Sequence, residues 1–195
     1  MKKLVLPFLS IVFSIGIYSC SNTESNDSEK VDVELSDEAS EAAAKEEFKA
    51  EIKEIEKVIK QTSGKNARSH TERLANRLIA FADEFPKDSL APEMIFKAGN
   101  VYIGLGEYNK AISFFDRAAK HYPEYIKRPE LVYMSGFVYD YHLSQKGKAK
   151  EYYERVIAEY PNHIFAKDAK QAIENLSMSD EDLIRKFEAQ NKKAS

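Results

Sequence analysis

Residues 93–123 read EMIFKAGNVYIGLGEYNKAISFFDRAAKHYP, and a second stretch of the same pattern fills residues 130–161. Gly99 lies inside a helical run, flanked by Ile95, Ala98, Tyr102 and Ile103. A glycine inside a helix costs about 1 kcal/mol against alanine. A compensating contact is therefore expected. The spacing predicts a second helix backbone passing close by, with Ala111 on its apolar face and Tyr102, Phe115 and Ala118 filling the space around the contact. Gly104-Leu105-Gly106 makes the turn between the two helices. Pro123 stops the second, because proline lacks the N–H and disfavours helix at the residue before it. Only a helical hairpin satisfies these constraints together.

Helical stripes continue on both sides. Phe48, Ile52, Ile55 and Ile59 recur at steps of four, three and four, which is one apolar stripe. Leu74, Leu78, Phe81 and Phe85 make another, closed by Pro86. The first stripe fits packing within the chain or a short coiled coil between chains. Beyond the second hairpin, Ile164, Phe165, Ala169, Ala172, Ile173 and Leu176 form a further stripe. Ser179 then opens a last helix with Asp180, Glu181 and Asp182 in its first turn, and Leu183, Ile184 and Phe187 on its face. Carboxylates suit the positive end of a helix. Seven glycines and six prolines leave little room for a turn-rich β fold.

The hairpins resemble the tetratricopeptide repeat, a unit of 34 residues with small, aromatic and proline signatures at fixed offsets. With Pro92 as the first position, Ala98, Gly99, Tyr102, Ala111, Phe115, Ala118 and Pro123 match those offsets. From Pro129, Ser135, Gly136 and Tyr139 match; after one extra residue, Ala149, Tyr153, Val156 and Pro161 match as well. That insertion is expected in the turn at residues 143–147. The resemblance implies an all-α fold, a right-handed superhelix of antiparallel helix pairs with about eight helices. Residues 37–91 then form a degenerate first repeat, residues 92–163 two full repeats, and residues 164–195 capping helices.

The N-terminal part reads as an address. Met1-Lys2-Lys3 precedes an apolar run over residues 4–17, then Tyr18-Ser19-Cys20. A basic start and a short apolar run describe an export signal, and the run is short of the ~20 residues a membrane span needs. Ile17, Ser19 and Cys20 resemble a bacterial lipoprotein signal, which implies that residues 1–19 are removed and that lipid is attached to Cys20. Ser21 after the cysteine implies outer-membrane sorting, with the periplasmic face favoured. Residues 20–36 are polar and acidic, without aromatics, and predict a disordered tether.

Charge and motif content narrow the function. Residues 21–47 carry ten acidic residues and two lysines; from Phe48 onward 25 Lys/Arg face 22 Asp/Glu. No patch reaches the density nucleic acid needs. His70, His121, His142 and His163 are dispersed, without metal-ligand spacing. No phosphate loop or nucleophile elbow is present, so the expectation is a non-enzyme with neither metal nor cofactor and no small-molecule substrate. By family resemblance, the concave face uses Glu93, Phe96, Asn100, Ile103 and Gly104, then Glu130, Tyr133, Phe137, Asp140 and Tyr141. Candidate partner-binding residues are Phe96, Asn100, Ile103, Tyr133, Phe137, Asp140 and Tyr141. Each aromatic among them equally fits contact with the neighbouring repeat. Phe96 and Tyr133 stand where the family's carboxylate clamp has lysines. The expected partner is an envelope protein offering a peptide or helix. As a whole the chain resembles small repeat lipoproteins related to the outer-membrane β-barrel assembly subunit and the Tol–Pal coordinator. A peptidoglycan- or glycan-associated accessory, with aromatics stacked on sugar, is the alternative.

Overall fold

The computed structural model describes residues 28–194, with side chains described from Glu38 onward apart from Lys65 and a few in the last helix. The export signal, Cys20 and the first part of the expected tether lie outside the described residues. Among the described residues the structure is helical throughout: α1 Ser28–Gln61, α2 Lys65–Glu84, α3 Ala91–Gly104, α4 Tyr108–His121, α5 Arg128–Phe137, α6 Lys146–Glu159, α7 Ile164–Leu176 and α8 Asp180–Ala194. A π-helical segment, Val138–His142, continues α5. Contacts divide the chain after Glu41. The N-terminal unit is helical from Ser28, where composition predicts a tether as far as residue 36. Glu29, Lys30, Glu34 and Leu35 are good helix formers, and a local helix needs no buried partner to satisfy its backbone.

The unit from Ala42 onward is a solenoid of helix pairs, each joined by a short turn that makes neighbours antiparallel. Ile52 and Ile55 of α1 are buried with Leu74, Leu78 and Phe81 of α2 and with Phe85 just beyond its end. Phe48 meets Phe81 and Phe85 edge-on, at 5.9 and 5.6 Å between ring centroids. The α1 stripe is thus packed within the chain. Arg77 lies over the Phe48 ring and pairs with Glu51.

Prolines 92 and 129 occupy the first turn of α3 and α5, where their missing N–H is no loss. Gly99 does face the second helix of its pair, but it makes room for a side chain rather than a backbone. A Cβ there would fall within 3.0 Å of three carbons of the Phe115 ring. Gly136 stands in the same relation to Tyr153, at 3.0 Å. Each repeat therefore seats an aromatic from its second helix on a glycine of its first. Phe115 and Tyr153 are both fully buried.

The two hairpin turns differ by one residue. In the first, Glu107 N–H donates to Tyr102 C=O and Gly106 N–H to Ile103 C=O, both near 3.0 Å. With Gly106 at φ 76° this is a Schellman ending. In the second, Gln145 N–H reaches back to Tyr139 C=O at 2.8 Å, one residue further, and Ser144 takes the left-handed position. Leu143 N–H closes on Val138 C=O at 3.1 Å, a π turn. The extra residue therefore sits upstream of the turn at residues 143–147, absorbed as a bulge at the end of the helix. α8 begins as expected: the Ser179 hydroxyl accepts from Asp182 N–H at 3.2 Å. His163 caps the start of α7, its Nδ1 accepting from Phe165 N–H.

Candidate partner-binding face

The candidate residues lie on the first helices of two successive pairs, α3 and α5 with its π segment. They are fixed by contacts between repeats. Tyr125 O–H donates to the Glu93 carboxylate at 2.5 Å, and Lys127 Nζ bonds the same oxygen at 2.9 Å. Both belong to the α4–α5 turn, so the clamp ties one repeat to the next. Burial is the largest single influence on Glu93 and would raise its pKa. The bonds from Tyr125 and Lys127, with the Lys127 charge, together outweigh it and hold the carboxyl below its ordinary value. Burial and the Glu93 charge push the Tyr125 hydroxyl up. Further on, Asp116 of α4 accepts from Tyr152 O–H at 2.7 Å and from the buried Ser135 hydroxyl at 3.4 Å.

Asp88, in the α2–α3 turn, is likewise held below its ordinary value, first by its bond with Lys45 of α1 and then by Leu90 N–H. Carboxyls with lowered native pKa bind fewer protons than in the unfolded chain. Their stabilisation is fully present above the unfolded values, near pH 4, and is lost as pH falls through the lower native ones. The urea midpoint should therefore fall on acidification from about pH 5 to about pH 3. Glu93→Gln should flatten that slope. An unchanged slope in the variant would show that the clamp carries no linked proton.

The candidate residues separate by exposure. Phe96 is 7% exposed. It packs on Phe115 at 5.8 Å and lies beneath the Lys127 ammonium. It is a core residue and offers a partner almost nothing. Tyr133 is half-buried between Tyr153 and Phe165, at 5.4 and 4.9 Å, and burial raises its hydroxyl pKa. It joins α5 to α6 and α7. Asp140 is also half-buried, and accepts from Tyr153 O–H at 3.4 Å. Burial raises its pKa, with the Tyr153 bond opposing. Its task is to satisfy the hydroxyl of a core tyrosine. Asn100 is exposed, and Ile103 is half-buried against the core.

Phe137 and Tyr141 do come together. Their rings stack at 4.6 Å, and Tyr141 is 67% exposed. The structure adds two residues that the repeat pattern does not single out. His142 meets Phe137 edge-on at 5.8 Å and stacks on Tyr108 of α4 at 4.4 Å. Tyr141, Phe137, His142 and Tyr108 thus form a continuous aromatic run where the π segment ends. The bulge widens the helix here, and π-bulges are frequent at functional sites. The available signal was the extra residue itself, which shifts the register of residues 138–142 against the 34-residue template.

Residues 92–125 and residues 130–163 each match the tetratricopeptide repeat family. Both hairpins thus carry the tetratricopeptide pattern, over about a third of the chain. Comparison with curated proteins gives no match. Tetratricopeptide repeats bind peptides or other proteins and are typically non-catalytic scaffolds. The second match spans most of α5, the π segment and α6, and holds Phe137, Tyr141 and His142, while Tyr108 belongs to the first match. Among the described residues, no helix is long and apolar enough to cross a membrane.

Proposed function

We propose that this tetratricopeptide chain is a lipid-anchored scaffold of the bacterial cell envelope, held to the outer membrane through Cys20 and recruiting a protein partner on the Tyr141 face. The observation that carries partner binding is the aromatic run. Tyr141 presents a rigid, largely exposed ring supported from behind by Phe137, and Asn100 offers a polar contact on the neighbouring first helix. Large aromatics of this kind dominate protein interfaces. A peptide or a partner helix fits such a surface. The anchoring rests on the basic start, the apolar run and the placement of the chain's one cysteine. A role in outer-membrane assembly or maintenance follows from the resemblance to envelope repeat lipoproteins.

Lipid attachment sets location by its energetics: each buried methylene contributes about 0.8 kcal/mol, and two chains anchor stably where one does not. Cys20→Ala should move the protein from the membrane to the soluble fraction and abolish its labelling by radioactive palmitate. A variant that stays membrane-bound contradicts the anchoring.

A further inference from the structure

The turns that join successive repeats share one conformation. Asp88 N–H bonds to Phe85 C=O and Ala91 N–H to Asp88 C=O, both at 3.0 Å. The same ladder recurs through Tyr122, Tyr125 and Arg128, and again through Tyr160, His163 and Ala166, at 2.9 to 3.1 Å. Because the helices alternate in direction, all three turns lie along one edge of the solenoid. The position four residues after the leading aromatic is Ser89, Ile126 and Ile164 in turn. Ile126 is 85% exposed and Ile164 68% exposed. A recess of about 650 Å³ runs beside Ile126, lined by prolines and tyrosines, Tyr122 and Tyr125 among them, and also by the charged Lys87, Asp88 and Glu124. On the opposite edge, the Leu105–Glu107 and Leu143–Gln145 turns keep their leucines half-buried.

The start of this unit lies on the same edge as the isoleucines. Lys45 of α1 pairs with Asp88 at 2.9 Å and sits 5.3 Å from the Phe85 ring centre, at the α2–α3 turn. The first residues of this unit, around Lys45, therefore lie toward the edge that bears Ile126 and Ile164. With α1 helical from Ser28, at about 1.5 Å per residue, the stretch back to Cys20 spans at most about 50 Å. We infer that this edge docks on the lipid surface to which the chain is anchored, with Ile126 and Ile164 entering the acyl boundary and Tyr122 at headgroup depth. The inference rests on the proposed lipidation of Cys20. Two isoleucines bind a membrane weakly, but a tether makes the contact intramolecular, at an effective concentration in the millimolar range. Tyrosine favours the interface because its ring is apolar and its hydroxyl wet. The turn charges are of both signs, and Asp88 and Lys127 are engaged by Lys45 and Glu93. The contact is apolar and should be insensitive to salt.

The test uses full-length lipidated protein in vesicles of phosphatidylethanolamine with a minor share of phosphatidylglycerol. Lipid on Cys20 consumes the chain's one thiol, so a single added cysteine takes an environment-sensitive dye. Glu124→Cys and Asn162→Cys report the docking edge, and Gln145→Cys the opposite one. Acrylamide quenching should be about threefold weaker at 124 and 162 than at 145, as expected for a dye drawn to the interface. Ile126→Glu with Ile164→Glu should erase that difference without lowering the melting temperature. Equal quenching at the three positions overturns the inference, as does protection that the double variant leaves intact. Protection that vanishes at one protein per vesicle would assign the edge to a second copy, and overturns it too. Mass spectrometry showing unmodified Cys20 would overturn the anchoring reading itself, a failure distinct from unprotected dyes on lipidated protein.

Discussion

Phe115→Ala is expected to lower the free energy of unfolding by about 3–5 kcal/mol, as buried phenylalanine truncations do. A domain of this kind holds only about 5–15 kcal/mol in all, so the variant should lose much of its urea midpoint. The reason is position. Phe115 is fully buried. Its ring rests on Gly99 and packs on Phe96. Removing the ring opens a cavity where the two helices of one pair meet. Gly99→Ala should cost about 1–3 kcal/mol by overpacking the same site. The two effects are coupled through one contact. In a Phe115→Leu background, Gly99→Ala should cost little, because the added methyl then has room. Additive costs in that double-mutant cycle would show that the glycine is there for another reason.

The second large effect concerns binding. Tyr141→Ala should weaken capture of the proposed protein partner by about 30-fold or more, equivalent to about 2 kcal/mol or more for a central aromatic contact. Tyr141 is largely exposed, so its removal should shift thermal stability little. Phe137→Ala should weaken capture as well, with some loss of stability because Phe137 is half-buried. Phe96 provides the contrast. Phe96→Leu changes a core position and should leave capture unchanged once folding is matched. Equal losses from Tyr141→Ala and Phe96→Leu would mean that capture tracks folding and not this face.

The helices were legible because their signals are local. Apolar stripes mark α1, α2 and α7, prolines mark the first turns of α3 and α5, and glycine with serine marks the hairpin turns. The pairing of Gly99 was legible only in part. The sequence shows that something must sit close to it, but Phe115 and Ala111 lie one helical turn apart, and only side-chain placement decides which of them does. The extra residue in the second repeat was countable, yet a helix end can absorb it as a bulge or leave it to the turn. Between Tyr139 and Gln145 the backbone chose the bulge. That choice turned Asp140 toward Tyr153 and brought His142 onto Tyr108, neither of which the 34-residue register places there. Phe96 and Phe137 show the same limit from another side. They are the same residue type on the same kind of helix. One is buried because Phe115 and Lys127 close over it; the other stays half-open beside Tyr141.

The central claim is that the Tyr141 face holds a protein partner at the membrane. A photo-crosslinking amino acid at position 141 of the lipidated protein, irradiated in intact envelopes, tests it directly. The account predicts a discrete protein adduct from position 141 and none from position 150, on the exposed surface of α6. Adducts to lipid alone, or the same adducts from both positions, would contradict it.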